Sequence, residues 1–337
     1  MKCIIQIPCF NESATLATAL AALPRHIEGF DAVEWLIIDD GCTDDTVEVA
    51  KSCGVDHIVS HPKNLGLARA FMTGLRACLS LGADVIVNTD ADNQYNADDI
   101  PKLVTPILEN KAEMVIGTRP IADIAHFSPL KKKLQRLGSL VVRYVSGTEI
   151  EDAPSGFRAI SRSAAARFMV YSKYTYTLET IIQAGQQGIP VSSVPIRVNP
   201  DLRPSRLVKS IRSYIWRSII TMLRIFILYR PFAFFMSIAS VLFVSGFLVG
   251  LRFLFFWLMG EGNGHVQSLI LASILLLSGG GTCLMALLAD LLTANRRLLE
   301  ELRYTSNLNG AIPIHRLWSR SPAGQDKPAT PPSGPNN

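Results

Sequence analysis

The sequence predicts an α/β protein in which a doubly wound, mainly parallel sheet is followed by interfacial amphipathic helices and a hairpin of two transmembrane helices. Short apolar runs alternate with helical patterns over residues 1–117, which is typical of β-α-β units. Two long apolar segments and a basic stretch before them lie in the last third of the chain. Of the 337 residues, 48% are hydrophobic and 18% are charged, whereas soluble domains carry roughly 25% charged residues. The chain is therefore too apolar for a typical soluble protein and too charged to lie wholly in a membrane.

The first half of the chain contains alternating predicted strands and helices. Thr43 is expected to cap the second helix, with Asp44 and Asp45 near its positive end. Ligands of such sheets bind beyond the carboxyl ends of the strands, and the polar clusters of this sequence fall at those ends. The predicted strands cover residues 4–7, 34–38, 57–59, 85–88 and 114–116, and the other predicted helices cover residues 14–23, 68–81 and 97–109.

Asp90 and Asp92 form the main candidate for metal binding. Sixteen Asp residues occur in the chain, and this composition predicts roughly one Asp-x-Asp pair by chance. The position of the pair after a predicted strand is therefore the evidence, rather than its spacing. Two neighbouring carboxylates favour a divalent ion such as Mg²⁺ or Mn²⁺, and Gln94 offers a further oxygen ligand. The alternative is a solvated acidic loop.

Other polar residues have both a functional and a structural interpretation. Asp39 and Asp40 could accept hydrogen bonds from a base or ribose, or could stabilise an ordinary turn. Asp152 could act at a site or belong to a salt-bridged loop. His57 and His61 do not share a helical face, so a zinc pair is disfavoured.

The distribution of charge favours a membrane surface over nucleic acid as the partner. Residues 1–200 hold 19 Lys and Arg against 22 Asp and Glu, whereas residues 203–230 hold seven basic residues and no acidic one. A nucleic-acid-binding protein usually carries its basic excess on the folded body, while a short basic stretch is typical of contact with anionic lipid. The six cysteines include no C-x-x-C pair and the N-terminus does not resemble a signal peptide, which indicates reduced thiols facing the cytosol.

Residues 232–256 and 266–289 are predicted to cross the membrane. The second segment has 24 residues without a charge, and a helix of that length spans about 36 Å against a hydrocarbon core of about 30 Å. Basic residues flank the pair while the short linker at 260–265 has none, so the positive-inside rule places both termini and the preceding domain in the cytoplasm. Two buried core helices are the alternative. The glycines at 279–281 allow close helix approach, including to a second copy of the chain.

These features divide the chain into five parts. The predicted parts are an α/β domain at 1–203, basic amphipathic interfacial helices at 204–230, the two transmembrane helices at 231–292, a cytoplasmic segment at 293–320 and a disordered tail at 321–337.

The order of motifs resembles family 2 glycosyltransferases with the GT-A fold. IPCFNE is similar to the family's opening P-x-x-N-E, DDGCTDDT to D-D-G-S-T-D-x-T, and NLGLARAFMTGL to its N-x-G…A…G-L segment. TDADNQ resembles the metal-binding D-x-D, and DAPSGFRA resembles D-x-x-S-G-F-R-A. The basic helices and two spans that follow resemble the branch that makes polyprenyl-phosphate and dolichol-phosphate hexoses.

The resemblance implies a role for each matching residue. Asp90, Asp92 and Gln94 would hold the metal on the diphosphate, and Asp152 would face the sugar and acceptor. Arg158 is expected to take part in catalysis together with Asp152 and to contact the phosphate groups. The acceptor phosphate would meet Arg119, Lys132 and Arg136, and the nucleotide pocket would be lined by Pro8, Phe10, Glu12, Asp39, Asp40 and Asp90, with Arg69 nearby.

The resemblance therefore implies an inverting, metal-dependent enzyme that moves a hexose from a UDP- or GDP-sugar to a polyprenyl phosphate at the cytoplasmic membrane face. Cys42, where Ser is usual, and Tyr95-Asn96, in place of His-Pro, depart from the pattern. The alternatives are a transferase for another lipid or a polysaccharide and a non-catalytic membrane scaffold that binds nucleotide. A processive synthase typically carries a Q-x-x-R-W motif, which this sequence lacks.

Overall fold

A computed structural model describes residues 1–120, 129–170, 176–200, 216, 220, 223–224, 226–260, 266–308 and 317–320. The chain forms two compact units. The first unit comprises Met1–Ser218 together with Leu302–Asn337, and the second comprises Ile219–Glu301. Most of the predicted interfacial segment at 204–230, the predicted linker residues 261–265 and the predicted tail at 321–337 lie outside the described residues.

The first unit is built on one eight-stranded mixed sheet with the order β7-β5-β6-β4-β1-β2-β3-β8. Strands β1 to β4 run parallel, as does the β5–β7 pair, whereas β6 is antiparallel to both neighbours and β8 is antiparallel to β3. The strands are β1 (Lys2–Cys9), β2 (Ala32–Asp39), β3 (His57–Ser60), β4 (Val85–Asn88), β5 (Met114–Thr118), β6 (Arg158–Ser161), β7 (Val191–Pro195) and β8 (Leu317–Ser319).

Seven helices accompany the sheet in the described part of the first unit. They are α1 (Ser13–Ala22), α2 (Thr46–Ser52), α3 (Leu67–Ser80), α4 (Ile100–Leu108), α5 (Pro129–Ser146), α6 (Arg162–Arg167) and α7 (Thr177–Gln186). A short 3₁₀ turn at Ala97–Asp99 precedes α4, so the first three residues of the predicted helix at 97–109 are 3₁₀ rather than α-helical.

The predicted cap at Thr43 is wrong. Helix α2 begins at Thr46, and the residue at its N-cap position is Asp45, whose side chain makes no capping hydrogen bond. The Asp44 carboxylate instead accepts from the Thr46 amide at 3.2 Å, while the Thr43 amide donates to Asn11 Oδ1 at 2.8 Å. The acidic residues therefore lie near the positive end of the helix, but the helix begins two residues later than predicted.

The core lies on both faces of the central strands. In β1, every residue from Cys3 to Cys9 is buried, because helices cover both sides of a doubly wound sheet. Helix α3 packs on β1 and β2 through side chains such as Phe71 and Leu75, which are at most 1% exposed. Such burial on both faces explains why these strands read as continuous apolar runs rather than alternating ones.

Strand β8 was not predicted from the sequence. Leu317–Ser319 pairs with His57–Val59 at the edge of the sheet, and the Trp318 side chain packs against the hydrophobic core. The Arg320 amide donates to Asp56 O at 2.8 Å, and the Ser319 hydroxyl lies 2.8 Å from His57 Nδ1. Residues beyond the second apolar helix therefore complete the edge of the first unit's sheet.

The second unit contains the long apolar helix α8 (Pro231–Leu258) and most of a second one, α9 (Val266–Leu308), whose residues from Leu302 onward are assigned to the first unit. Their membrane-length segments are Pro231–Leu258 and Val266–Asn295, and only 11% and 17% of their most apolar windows are buried. The side chains of a soluble core would be buried, so this exposure contradicts the alternative of two core helices. Helix α9 also continues as far as Leu308, past the predicted boundary at 292.

Close packing between the two helices involves Gly246 and Gly279. A Cβ at Gly246 would lie 3.2 Å from the carbonyl oxygen of Ala272, and one at Gly279 would lie 3.2 Å from the Phe243 ring. Gly280 differs from Gly279 in its surroundings, because a Cβ at Gly280 would meet nothing within 4 Å. Gly279 serves packing within the hairpin.

Candidate active site

The candidate site lies at the carboxyl ends of β1, β2 and β4. Asp39 is the last residue of β2 and pairs in register with Cys9 at the end of β1. Strand β4 ends at Asn88, and Asp90 and Asp92 follow it. Parallel strands bring these ends to one edge, so the sequence prediction of clustered acidic residues agrees with the sheet topology.

The Asp90 carboxyl group is half-buried, and this burial together with the neighbouring Asp92 carboxylate raises its pKa to about 7. Opposite it lies the backbone of Gly156: a Cβ there would be 3.3 and 3.4 Å from the two Asp90 carboxylate oxygens. Because Gly156 has no side chain, the Asp90 carboxyl group can lie close to this backbone. An opposing positive charge would relieve the cost of ionising Asp90.

Asp92 and Gln94 form a tight turn after β4. The Asp92 carboxylate accepts a hydrogen bond from the Gln94 amide at 3.1 Å, and Asn93 between them adopts a left-handed φ of 56°. Two carboxylates and an amide oxygen are hard donors that suit Mg²⁺ or Mn²⁺. Within the described ranges, no group of three or more His, Cys, Asp or Glu residues could hold a metal. Mg²⁺ is commonly held by one or two carboxylates together with substrate phosphates and water, and the donor set of Asp90, Asp92 and Gln94 fits that pattern.

A buried polar network holds Gly156 against Asp90. The Asn88 side chain accepts from Gln6 Nε2 at 2.9 Å and donates to the Gly156 carbonyl at 2.8 Å and to the Tyr176 hydroxyl at 2.9 Å. The Gly156 amide donates to the Tyr95 hydroxyl at 3.0 Å. Both backbone groups of Gly156 are thus fixed, which sets the distance between this loop and Asp90.

Tyr95 has a structural role in this network. Its ring is 5% exposed and stacks on Phe157, with ring centroids 5.0 Å apart. Burial raises the pKa of its hydroxyl to about 12, so the hydroxyl remains protonated at neutral pH. The departure from His-Pro at positions 95 and 96 therefore supplies a hydrogen-bonding group for Gly156.

Asp152 and Arg119 form a buried ion pair. Arg119 Nε lies 2.7 Å from Asp152 Oδ2, Nη2 lies 3.0 Å from Oδ1, and the Arg119 backbone amide also donates to Oδ2 at 3.2 Å. The Asp152 side chain is 0% exposed and that of Arg119 is 12% exposed. Both oxygens of Asp152 hold the arginine, and the partly exposed guanidinium is the member of the pair that a ligand could reach.

Arg158, which is predicted to take part in catalysis and phosphate binding, is the first residue of β6 and is fully buried. Its guanidinium is 0% exposed and donates to the carbonyls of Ala153, Ser155 and Thr177 and to the Thr180 hydroxyl, at 2.7–2.9 Å. Burial lowers its pKa to about 10, which still leaves it charged at neutral pH. In this structure Arg158 therefore ties the loop that carries Asp152 to α7.

The Asp40 side chain is likewise buried and hydrogen-bonded within the protein. Its carboxylate lies 2.8 Å from His61 Nδ1 and accepts from the backbone amides of Leu65 and Gly66 at 2.9 and 2.8 Å. These bonds hold the loop before α3, and the hydrogen bond from Asp40 to a nucleotide stays a prediction. Asp39 accepts from the Cys42 amide at 2.7 Å through one oxygen.

The remaining predicted nucleotide-site residues surround the end of β1. Pro8 is buried in that strand, and Phe10 beyond it is 40% exposed. Glu12 is half-buried beside α1 and accepts from the Thr15 hydroxyl at 3.2 Å, while Arg69 is exposed in the first turn of α3. Lys132 and Arg136 lie along α5, but their side chains lie outside the described residues.

The sequence reasoning missed Asn88, Tyr176 and Asn199. Asn88 ends an otherwise apolar strand, VIVN, and a polar residue at the buried end of such a strand is a signal that could have been noticed. Tyr176 and Asn199 come from distant parts of the chain, and their spacing in the sequence carries no sign of contact with the site.

Comparison with known proteins places the chain in a family. The family description "Glycosyl transferase family 2" matches residues 4–168. A UDP-N-acetylglucosamine–dolichyl-phosphate N-acetylglucosaminyltransferase of Methanococcus voltae is 30% identical over 213 residues, which cover 57% of this chain and 83% of the relative. The chain belongs to glycosyltransferase family 2. It is a glycosyltransferase.

Further relatives identify the branch. An undecaprenyl-phosphate mannosyltransferase of Micrococcus luteus is 27% identical, with 58% of this chain and 83% of that protein covered. A polyprenol monophosphomannose synthase of Mycolicibacterium smegmatis is 25% identical, with 58% and 76% covered. This family 2 glycosyltransferase therefore belongs to the polyprenyl-phosphate hexosyltransferase branch.

Solved structures confirm the predicted GT-A fold. Glucosyl-3-phosphoglycerate synthase from Mycobacterium tuberculosis, in complex with Mn²⁺, UDP and glucosyl-3-phosphoglycerate, matches with a TM-score of 0.50 and 20% identity. The match covers 66% of this chain and 79% of that chain. At this identity the likeness concerns the fold alone.

Proposed function

We propose that this glycosyltransferase is an inverting, metal-dependent enzyme that transfers a hexose from a nucleotide diphosphate sugar to a polyprenyl phosphate at the cytoplasmic face of the membrane. The observation that carries the proposal is the proximity of Asp90, which bears the raised pKa, to the loop that follows the Asp152–Arg119 pair. The Asp90 carboxylate is suited to a metal ion bound to a diphosphate, and the Arg119 guanidinium is suited to a second phosphate.

Asp90 and Asp92, with Gln94, would hold Mg²⁺ or Mn²⁺ on the donor diphosphate. When bound, the ion supplies charge stabilisation for the departing nucleoside diphosphate. Asp39, at the end of β2, and Phe10, exposed beyond β1, would contact the nucleoside. Relatives named for N-acetylglucosamine and for mannose transfer fit a shared donor-binding architecture with a variable sugar.

The acceptor phosphate needs little help from a base. The second pKa of a phosphate monoester is about 6, so most of it is a dianion at pH 7. The greater difficulty is to bring a dianion towards a site that already contains a diphosphate and carboxylates. Arg119, oriented by Asp152, would provide a cation for the attacking oxygen. Lys132 and Arg136 are proposed to assist from α5.

The proposed topology has two membrane crossings with both termini in the cytoplasm. The candidate spans α8 and α9 are 28 and 43 residues long. The chain leaves the first unit before α8 and pairs with it again at β8. A return to the same unit requires an even number of crossings, which supports a hairpin. Open space beside Gly280 and Gly281 leaves room for a second hairpin in a proposed homo-oligomer.

Transfer of radiolabelled sugar tests the proposal. The full-length chain in membranes is incubated with UDP- and GDP-linked sugars and undecaprenyl phosphate, with Mn²⁺ or Mg²⁺ and with a chelator. We expect a labelled lipid product that depends on metal. Asp92→Asn removes a charge at nearly constant size and should lower turnover by orders of magnitude. Asp98→Asn, at an exposed aspartate nearby, is the matched control and should remain active.

Two results would contradict the proposal. Transfer by Asp92→Asn at the wild-type rate in the presence of a chelator would remove the metal from the mechanism. A reporter tag at residue 262 that reads cytoplasmic would contradict the hairpin, because that linker is expected on the opposite side from the first unit.

A further inference from the structure

The metal turn, Asp92–Tyr95, is held from outside by the segment that leaves β7. The Asn199 backbone amide donates to Gln94 O at 2.8 Å, and the amide of Asn96 donates to Arg197 O at 3.3 Å. An antiparallel bridge joins Tyr95 and Val198. These contacts connect positions more than 100 residues apart in the sequence.

The Asn199 side chain binds the turn on both sides of Gln94. Its Nδ2 donates to the carbonyl oxygen of Asn93 at 2.9 Å and lies 3.4 Å from that of Tyr95. Together with the backbone bond to Gln94 O, this gives three successive carbonyls of the turn a contact with one residue. Fixed carbonyls fix the peptide planes between them, and hence the directions in which Asp92 and Gln94 project.

The turn has a conformation that benefits from such support. Asn93 has a φ of 56°, and a non-glycine residue in the left-handed region persists where its surroundings compensate the cost of that conformation. Asn199 is half-buried and Arg197 beside it is exposed, so the support is added at the surface rather than by the hydrophobic core. A substitution at Asn199 can therefore alter the turn without removing a core side chain.

We propose that Asn199 is a positioning residue that holds the Asp92–Gln94 turn in the geometry that binds the divalent ion. The inference rests on the proposed function, since it assigns the ion to this turn. It concerns a residue that contacts neither the ion nor the substrates and acts through the carbonyls of Asn93 and Tyr95.

Direct Mn²⁺ binding tests this role without reference to activity. The purified full-length chain is titrated with Mn²⁺ in the presence of UDP or GDP, and free Mn²⁺ is measured by its paramagnetic resonance signal. Asn199→Asp keeps the size of the side chain and replaces the donating amide with a carboxylate that faces two carbonyls. Asn199→Ala removes the donor without adding a charge.

Asn96→Asp is the matched control. The Asn96 side chain accepts from the Asp98 amide at 3.0 Å, and a carboxylate can do the same. It adds the same charge as Asn199→Asp close to the same turn. A nearby negative charge alone should tighten cation binding, so the control and the proposal predict opposite signs.

We expect the Mn²⁺ dissociation constant to rise about tenfold or more in both Asn199 variants, as is usual when support around a metal ligand is lost, and not to rise in Asn96→Asp. The Mn²⁺ concentration for half-maximal turnover should rise in parallel, while kcat at saturating Mn²⁺ stays within a few-fold of wild type. If Asn199→Asp does not fold, Asn199→Ala decides the question.

Binding of Mn²⁺ by the Asn199 variants within twofold of wild type would overturn the role of Asn199 and leave the metal site intact. Absence of Mn²⁺ binding by the wild-type protein would overturn the metal site itself, and the inference with it. A loss of kcat at every Mn²⁺ concentration with unchanged Mn²⁺ affinity would indicate a general structural role and would also overturn the proposal.

Discussion

Replacement of Asp152 by Asn separates an orienting carboxylate from a catalytic base. In the structure this carboxylate is 0% exposed and both of its oxygens are hydrogen-bonded to Arg119. A base must reach the proton of the attacking group, and Asp152 would have to abandon a buried cation to do so. We therefore expect Asp152→Asn to slow transfer by misplacing Arg119, with measurable turnover remaining.

The size of the effect follows from the contacts that change. Asn can still accept one hydrogen bond from Arg119, but its NH₂ group faces an N–H donor where Asp152 Oδ1 accepts at 3.0 Å. Complete loss of one partner of a buried pair costs about 3–5 kcal/mol, and the isosteric amide should lose about 3 kcal/mol. If this loss falls on the placement of Arg119 in the transition state, kcat/KM for the acceptor falls about a hundredfold.

Initial rates with the full-length chain in lipid nanodiscs measure the effect. Rates are determined against polyprenyl phosphate concentration from pH 5.5 to 8 for wild type, Asp152→Asn, Arg119→Gln and the double variant. Glu151→Gln changes the adjacent, exposed carboxylate and should remain within about twofold of wild type. Because Asp152 and Arg119 act as a unit, the double variant should be about as slow as the slower single variant.

The pH profile distinguishes the two roles. With Mn²⁺ saturating at every pH, an orienting Asp152 leaves a limb near pH 6 that belongs to the acceptor phosphate, in the variant as in wild type. An orienting role for Asp152 is refuted if Asp152→Asn shows no turnover while it binds both substrates normally and Arg119→Gln keeps most of its activity. That outcome would assign Asp152 as a general base.

Three further predictions concern Asp90, Arg158 and Trp318. The pKa of Asp90 is raised from 3.8 to about 7 by burial and by Asp92. Between pH 3.8 and about 7 the folded, metal-free protein therefore holds one more proton than the unfolded chain, and its stability falls as the pH rises through this range. Because Mn²⁺ must displace that proton, Mn²⁺ affinity should fall about tenfold per pH unit below 7. Equal Mn²⁺ affinity at pH 6 and pH 8 would contradict this prediction. Arg158→Gln leaves buried carbonyls without donors and should lower the free energy of unfolding by more than about 2 kcal/mol, measured by thermal unfolding. The KM for the acceptor, measured by steady-state kinetics, should not rise. Trp318→Ala removes the side chain that anchors β8 on the core and should lower the stability of the first unit by about 1–2 kcal/mol; an unchanged melting temperature would indicate that β8 contributes little.

The sequence by itself determined the framework of the first unit. Strands β1 to β5 lie where apolar runs predicted them, because burial on both faces of a sheet demands continuous apolar residues and leaves a local record in the sequence. The apolar composition of α8 and α9 is likewise a local property of the sequence, and both are apolar over a length that could cross a membrane. The position of Asp90 and Asp92 after β4 followed from the parallel arrangement, since the ends of parallel strands meet at one edge.

Only the tertiary structure decided what the polar side chains near that edge do. Asp152 and Arg119 are 33 residues apart, and Asn199 and Asn93 are 106 residues apart. Arg158 and Asp40 belong to recognisable motifs, and only the structure shows that both are buried and hydrogen-bonded to backbone groups. Hydrogen bonds and ion pairs have no periodicity in sequence, because their partners are selected by the closure of loops between distant elements. The same reason hid β8, whose three residues gain their strand conformation from pairing with β3.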